Sequence, residues 1–210
     1  IEVLDEDSGA HLETISILDK IIDIKKEFTK GSEIINCNDP LHLNDVRIIK
    51  NSDIASYFPN GKVGDMLLSL LSIEAIVLLD KDDYSMKWYT VGDYEDQHSP
   101  RPLGSGKLLV FNNKAGSRIF GKSQIISTDI KSKKIAGIYK GKNKNDFFQS
   151  NNAGRIQLID NNSIYINESE RSRLFKIECS DLSTLQNCKR KNILNINKGK
   201  IYTHTLDIIN

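Results

Sequence analysis

Three stretches of this chain can be laid over one another, and that recurrence limits the available folds more than any single motif does. The first runs from His42 through "NGKVGDMLLSL" and "SIEAIVLLDKDDYSMKW" to Trp88. The second runs from His98 through "GSGKLLVFNN" and "SRIFGKSQIISTDIKSKKIAGIY" to Tyr139. The third runs from Ser150 through "DNNSIYINESERSRLFKIECSDLSTLQNCKR". Each obeys one grammar: a short polar-apolar strand, a Gly- or Asn-containing turn, and two apolar strands such as "LLVFNN" and "QIISTD". A turn rich in Asp, Asn, Lys and Ser then leads to a last strand such as "MKWYT". Alternation with period two, punctuated by turn residues, is what hairpins require. A four-stranded unit returning every ~40–50 residues is the spacing of a propeller blade.

The predicted fold class is therefore all-β: a β-propeller of four-stranded antiparallel blades, with repeats at about 42–90, 98–140 and 150–192. The whole chain, 1–210, reads as one propeller domain. Three units do not comfortably close a ring of about four to eight blades, so an incomplete ring, as in a piece of a longer protein, is expected. "IEVLDEDSGAHLETISI" reads as strand, turn, strand, the tail of an earlier unit. Its "DEDSG" lacks the ligand set and terminal glutamate of a calcium loop, so a hairpin turn is the better reading. Ile17, Ile21, Ile24 and Phe28 then recur at helical spacing, predicting one short amphipathic helix.

Composition removes some functions. With 29 basic and 28 acidic side chains, the chain lacks the excess charge of a nucleic-acid binder. The longest apolar run, "MLLSLLSIEAIVLL", is too short for a membrane span and is broken by Ser72 and Glu74, so no transmembrane segment is expected. No signal peptide is visible, and the chain starts at Ile1, which fits a processed or truncated N-terminus. Of the three cysteines, Cys179 and Cys188 flank "SDLSTLQN", a spacing suited to stapling two arms of a hairpin; two separate thiols is the alternative. A disulfide would place the protein in an oxidising compartment and leave Cys37 over. No CxxC or His/Cys cluster suggests zinc, and neither a metal nor a cofactor is expected.

The candidate chemistry lies at the starts of the repeats. First strands of propeller blades run near the central channel, so His42 in "LHLND" and His98 in "QHSPR", at equivalent places in consecutive repeats, should face one cavity. Arg118, in "GSRIF", falls at the next turn of its own unit. Two imidazoles and a guanidinium suit an oxyanion, because arginine forks it while histidine donates, accepts or attacks. Against this stands the plainer possibility that each histidine is a turn residue bonded to backbone. His11, the "KSKK" and "KGKNKND" runs, the "NES" triplet at 167–169, and Trp88 with Tyr89 read as exposed turns, chance matches or blade packing.

"DPLHLNDVRII", "DMLLSLLSIEAIVLLD", "MKWYTVGDYEDQHSPRPLGSGKLLVFNN", "SRI" and "INESERSRLFKI", in that order, resemble the arylsulfotransferase family of β-propeller proteins over roughly residues 37 to 180. That resemblance implies transfer of a sulfuryl group from a phenolic sulfate ester to a phenol through a sulfated histidine, without a nucleotide donor. It implies catalytic roles for His98, His42 and Arg118, and substrate-binding positions at Asn44, Arg101 and Arg173. Small aryl sulfates and phenols would be the partners, and a periplasmic, secreted or surface-anchored location would follow. Two departures are visible. The later-blade histidine that becomes sulfated in the family's characterised enzymes has no counterpart in "FFQSNNAGRIQLI", with His204 lying too far along, and Pro100 stands where the enzymes have a polar residue. A propeller that binds anionic or aryl ligands without turnover, and a purely structural interaction platform, therefore stay open beside the enzyme.

Overall fold

The computed structural model describes residues 1–21, 39–91, 93–113, 123–141 and 146–195. Within them the chain is all-β and built of propeller blades. After a two-stranded hairpin, β1 (Glu2–Leu4) and β2 (His11–Thr14), and a short helix α1 (Ile17–Ile21), come three four-stranded antiparallel sheets. Blade 1 is β3 (Leu43–Ile48), β4 (Met66–Leu70), β5 (Ala75–Leu79) and β6 (Met86–Val91), with a helical turn α2 (Ser52–Ala55) between its first two strands. Blade 2 is β7 (His98–Pro102), β8 (Lys107–Asn112), β9 (Gln124–Asp129) and β10 (Ile135–Tyr139). Blade 3 is β11 (Arg155–Leu158), β12 (Ser163–Glu168), β13 (Arg173–Glu178) and β14 (Lys189–Asn195). In each blade the strands neighbour one another in sequence order, the simplest outcome of short hairpin connections.

The second and third strands of blade 1, "MLLSL" and "AIVLL", are buried at every position, whereas β6 alternates between buried and half-buried. Continuous apolar strands are what a sheet needs when both of its faces are covered. One face of blade 1 packs on Ile15, Ile17 and Ile21 after the first hairpin; the other meets blade 2 through Ile76, Leu78, Trp88, Leu108, Val110 and Ile126. Blade 2 meets blade 3 through a second cluster centred on Phe148, whose ring lies 5.7 Å from Phe111 and 5.4 Å from Phe175. Trp88 is nearly buried, edge-on to Phe58, and donates its indole N–H to the Ile130 carbonyl. His11 is exposed beside Glu2.

The turns follow their side chains. Asp80 and Asp129 each accept a backbone N–H two or three residues on, from Asp82 and Ser132, closing the outer hairpins of blades 1 and 2. In blades 1 and 3 the second and third strands are joined by equivalent single turns of 3-10 helix, Leu71–Ile73 and Ser169–Arg171. Each ends on a left-handed residue, Glu74 or Ser172. Cys179 and Cys188 are disulfide-bonded across the β13–β14 turn. That stapled turn leans on blade 2, where Ser127 donates to the Ser183 carbonyl and a Cβ at Gly137 would collide with the Thr184 carbonyl. Besides its sheet partner β8, strand β7 contacts β3 and β4 of blade 1 and β11 of blade 3, in keeping with first strands innermost. Cys37, Ile24, Phe28, Arg118 and His204 lie outside the described residues.

Candidate functional site

The start of each first strand opens on one cavity of about 300 Å³, contributed by all three blades. Blade 1 supplies His42, Asn44 and Asp45; blade 2 supplies His98 and Ser99; the turn into blade 3 supplies Asn152, Gly154 and Arg155. Bulges in the β3–β4 and β7–β8 pairings, beside Asn44 and at Ser99–Pro100, bend these strand ends. The backbone here is also held in the left-handed region at His42 (φ 48°), Asp96 (φ 53°) and Ser99 (φ 55°), an arrangement that costs energy and is kept where surrounding contacts over-determine it.

Those contacts are seams between blades. Asn44 donates its amide to the Gln97 carbonyl (2.7 Å), and the Gln97 side chain reaches back to the carbonyls of Leu70 and Ala75 (3.1 Å each). Ser99 accepts the Ile156 N–H (3.0 Å), tying blade 2 to blade 3. Arg101 crosses to Asp45 of blade 1 (3.1 Å), both side chains nearly buried. Burial, with the charge of Arg47 adding to it, lowers the Arg101 guanidinium to about 10, an unusual cost that the Asp45 carboxylate offsets.

The protonation pattern of the two imidazoles follows from their partners. Asn113, fully buried, donates both amide hydrogens, to the carbonyls of Ser150 (2.6 Å) and Ala153 (3.0 Å). A flipped amide would set three oxygens against one another, so its orientation is fixed. The remaining oxygen, Oδ1, lies 2.9 Å from His98 Nδ1, and the Asp96 carbonyl lies 3.1 Å from the same nitrogen. Both neighbours are acceptors only, so Nδ1 bears the hydrogen. Nε2 then keeps its lone pair in the neutral ring, with no hydrogen-bond partner among the described residues. Burial lowers the His98 pKa below the ordinary histidine value, and the nearby His42 pushes the same way. His42 has matching polarity: its Nδ1 is 2.8 Å from the Asp39 carboxylate, leaving Nε2 on the far side of the ring. Asn44 Oδ1 is buried with no hydrogen-bond partner among the described residues, an acceptor awaiting a donor.

Of the residues singled out in the sequence, the structure brings His42, Asn44 and His98 to this cavity and places Arg101 just behind it, on Asp45. Arg118 lies outside the described residues. Arg173 does not line the cavity: it bonds Glu168 (2.6 Å) and the Phe147 carbonyl (3.1 Å). Glu168 is fully buried, and burial raises its carboxyl despite that arginine, so Arg173 is needed where it is. Arg155 was not singled out, although a signal existed. It opens the first strand of the third repeat, "GRIQL", where the earlier repeats place histidines. Among the described residues it has no carboxylate partner, unlike Arg101 and Arg173.

The starts of the first strands present two imidazoles and an arginine to one small cavity. The family model of the arylsulfotransferases (ASST) matches residues 1–189, nearly the whole chain. The chain belongs to the arylsulfotransferase family. No curated protein matches it in a sequence comparison. Among the described residues no group of three or more His, Cys, Asp or Glu is placed to hold a metal ion. No described helix is long and apolar enough to cross a membrane.

Proposed function

We propose that this arylsulfotransferase-family chain moves a sulfuryl group from an aryl sulfate ester to a phenol, with His98 as the intermediate carrier. The supporting observation is the His98 imidazole, hydrogen-bonded at Nδ1 to two acceptors and lining the cavity with Nε2 unprotonated. In the first half, Nε2 attacks the sulfur, the bond from sulfur to the aryl oxygen breaks, and the aryl oxide leaves with the electron pair. Arg155 shares the charge of the sulfuryl oxygens as it grows. In the second half, a phenol hydrogen-bonded through its hydroxyl to His42 Nε2 gives its proton to that nitrogen. Its oxygen then attacks the sulfur, and the pair of the sulfur–nitrogen bond returns to His98. The His42 proton neutralises the departed aryl oxide. Asp39 orients His42 as a carboxylate orients the base of an acyl-transfer site.

The absence of a histidine from "FFQSNNAGRIQLI", the stretch equivalent to the one that carries the sulfated histidine in the family's characterised enzymes, favours a second reading: a cavity that binds aryl sulfates without turning them over. One experiment separates the two. The protein is mixed with 4-nitrophenyl sulfate and a phenol. Release of nitrophenol that drops at least a hundredfold in His98→Ala and in Arg155→Ala supports transfer. Saturable binding without release contradicts it and leaves the binding reading. The Cys179–Cys188 bridge supports an oxidising setting, so we place the protein in the periplasm, secreted or anchored at a cell surface.

A further inference from the structure

We propose that Asn113 is a positioning residue that holds His98 in its Nδ1–H tautomer and, with the same amide, fastens the turn that delivers Arg155 to the cavity. This deepens the sulfuryl-transfer reading and rests on it for its catalytic consequence. The amide is saturated: Oδ1 faces His98, and Nδ2 spans the carbonyls of Ser150 and Ala153. Its own backbone carbonyl accepts from Ser123, whose hydroxyl also takes the Ser150 N–H (2.9 Å). Four residues of the turn held this way, Asn152 to Arg155, line the cavity. The turn can lie this close because Gly154 has no side chain; a Cβ there would strike the Phe111 ring.

The neutrality of the amide matters. A carboxylate at Oδ1 would favour the imidazolium, protonating Nε2 and removing the lone pair that attacks sulfur. An amide oxygen accepts the Nδ1 hydrogen without adding a charge; the bond by itself favours the protonated ring, but burial outweighs it, so the ring stays neutral while its orientation is set. The other charged groups facing His98 come from blade 1, His42 and Asp45, and from blade 3, Arg155. Asp45 is engaged by Arg101, which leaves His98 without a free carboxylate among its described neighbours. A residue that only sealed the seam between blades 2 and 3 would have no effect on the chemistry of this ring.

The test is nitrogen NMR of the full chain with labelled histidine, read beside the pH profile of 4-nitrophenyl sulfate turnover. Wild-type His98 should show a protonated Nδ1 and an unprotonated Nε2, a measurement that needs no variant. In Asn113→Asp the His98 pKa should rise by about one unit or more, and the acid limb of kcat/KM should move up by the same amount. Asn113→Leu, which can neither accept nor donate, should raise the Nε2–H population. A wild-type ring protonated on Nε2, or a pKa that does not move in Asn113→Asp, overturns the proposal. If the ring behaves as expected but no nitrophenol is released, the positioning role stands and the transfer reading alone fails.

Discussion

At the scale of single residues, the proposed transfer depends on His98 being neutral, and burial of the ring favours that form. The pKa is depressed by burial, so the neutral form persists through neutral pH. Turnover should be flat above about pH 6.5, the ordinary histidine value, and should fall only as pH drops below it through the lowered folded value. Stability should follow the same sign. A histidine whose folded pKa lies below its unfolded one contributes fully above the unfolded value, and that contribution is lost as pH falls through the folded one. Measured by denaturant unfolding between pH 8 and pH 5, His98→Gln should therefore lose less stability on acidification than wild type. Equal losses would contradict the buried, neutral ring. Of these residues, "LHLND" and "QHSPR" were legible because their histidines stand at matching places in two repeats. Arg155 was less so, because the third repeat changes residue type at that position. Asn113 carried no signal in the sequence: an asparagine after a strand is an ordinary turn residue until its partners, 15, 37 and 40 positions away, are known.

At the scale of elements, the blades are held by buried polar seams as much as by their apolar faces. The seam inside blade 3 is the clearest, because Glu168 is wholly buried and relies on Arg173. Removing Arg173 leaves the buried carboxylate with only the half-exposed Arg171, 3.5 Å away, and the Gln149 N–H beside it. Arg173→Ala should therefore cost about 3–5 kcal/mol in urea unfolding, with the loss shrinking toward acid pH as Glu168 becomes protonated. Arg173→Lys should recover part of it. A loss below about 0.5 kcal/mol would mean that the pair is not the brace described. The sequence pointed to Arg173 as a binding residue because an unassigned arginine in a family motif reads as functional; only its distance from the cavity and its contact with Glu168 show what holds it. The strands themselves were legible. "AIVLL" and "LLVF" are apolar without break, bounded by Asp, Asn and Gly turns, and such runs form strands buried on both faces. The 3-10 turns after β4 and β12 were not legible, since their left-handed ends fall on Glu74 and Ser172 rather than on glycine.

At the scale of the molecule, repetition is what made the architecture readable: a unit of four strands used three times has few ways to pack other than side by side about an axis. The same repetition generates the cavity, because equivalent strand starts converge on it. Each blade then contributes a different group to a common cavity: imidazoles from blades 1 and 2, a guanidinium from blade 3. The seam hydrogen bonds made by Asn44, Ser99 and Asn113 hold those groups in one frame. The most direct test of this account is mass spectrometry of the protein quenched at alkaline pH during turnover of 4-nitrophenyl sulfate without an acceptor. The account predicts the mass of one sulfuryl group on the peptide containing His98, lost on addition of a phenol and absent in His98→Ala. A sulfuryl group found on another residue, or none while nitrophenol is being released, would contradict it.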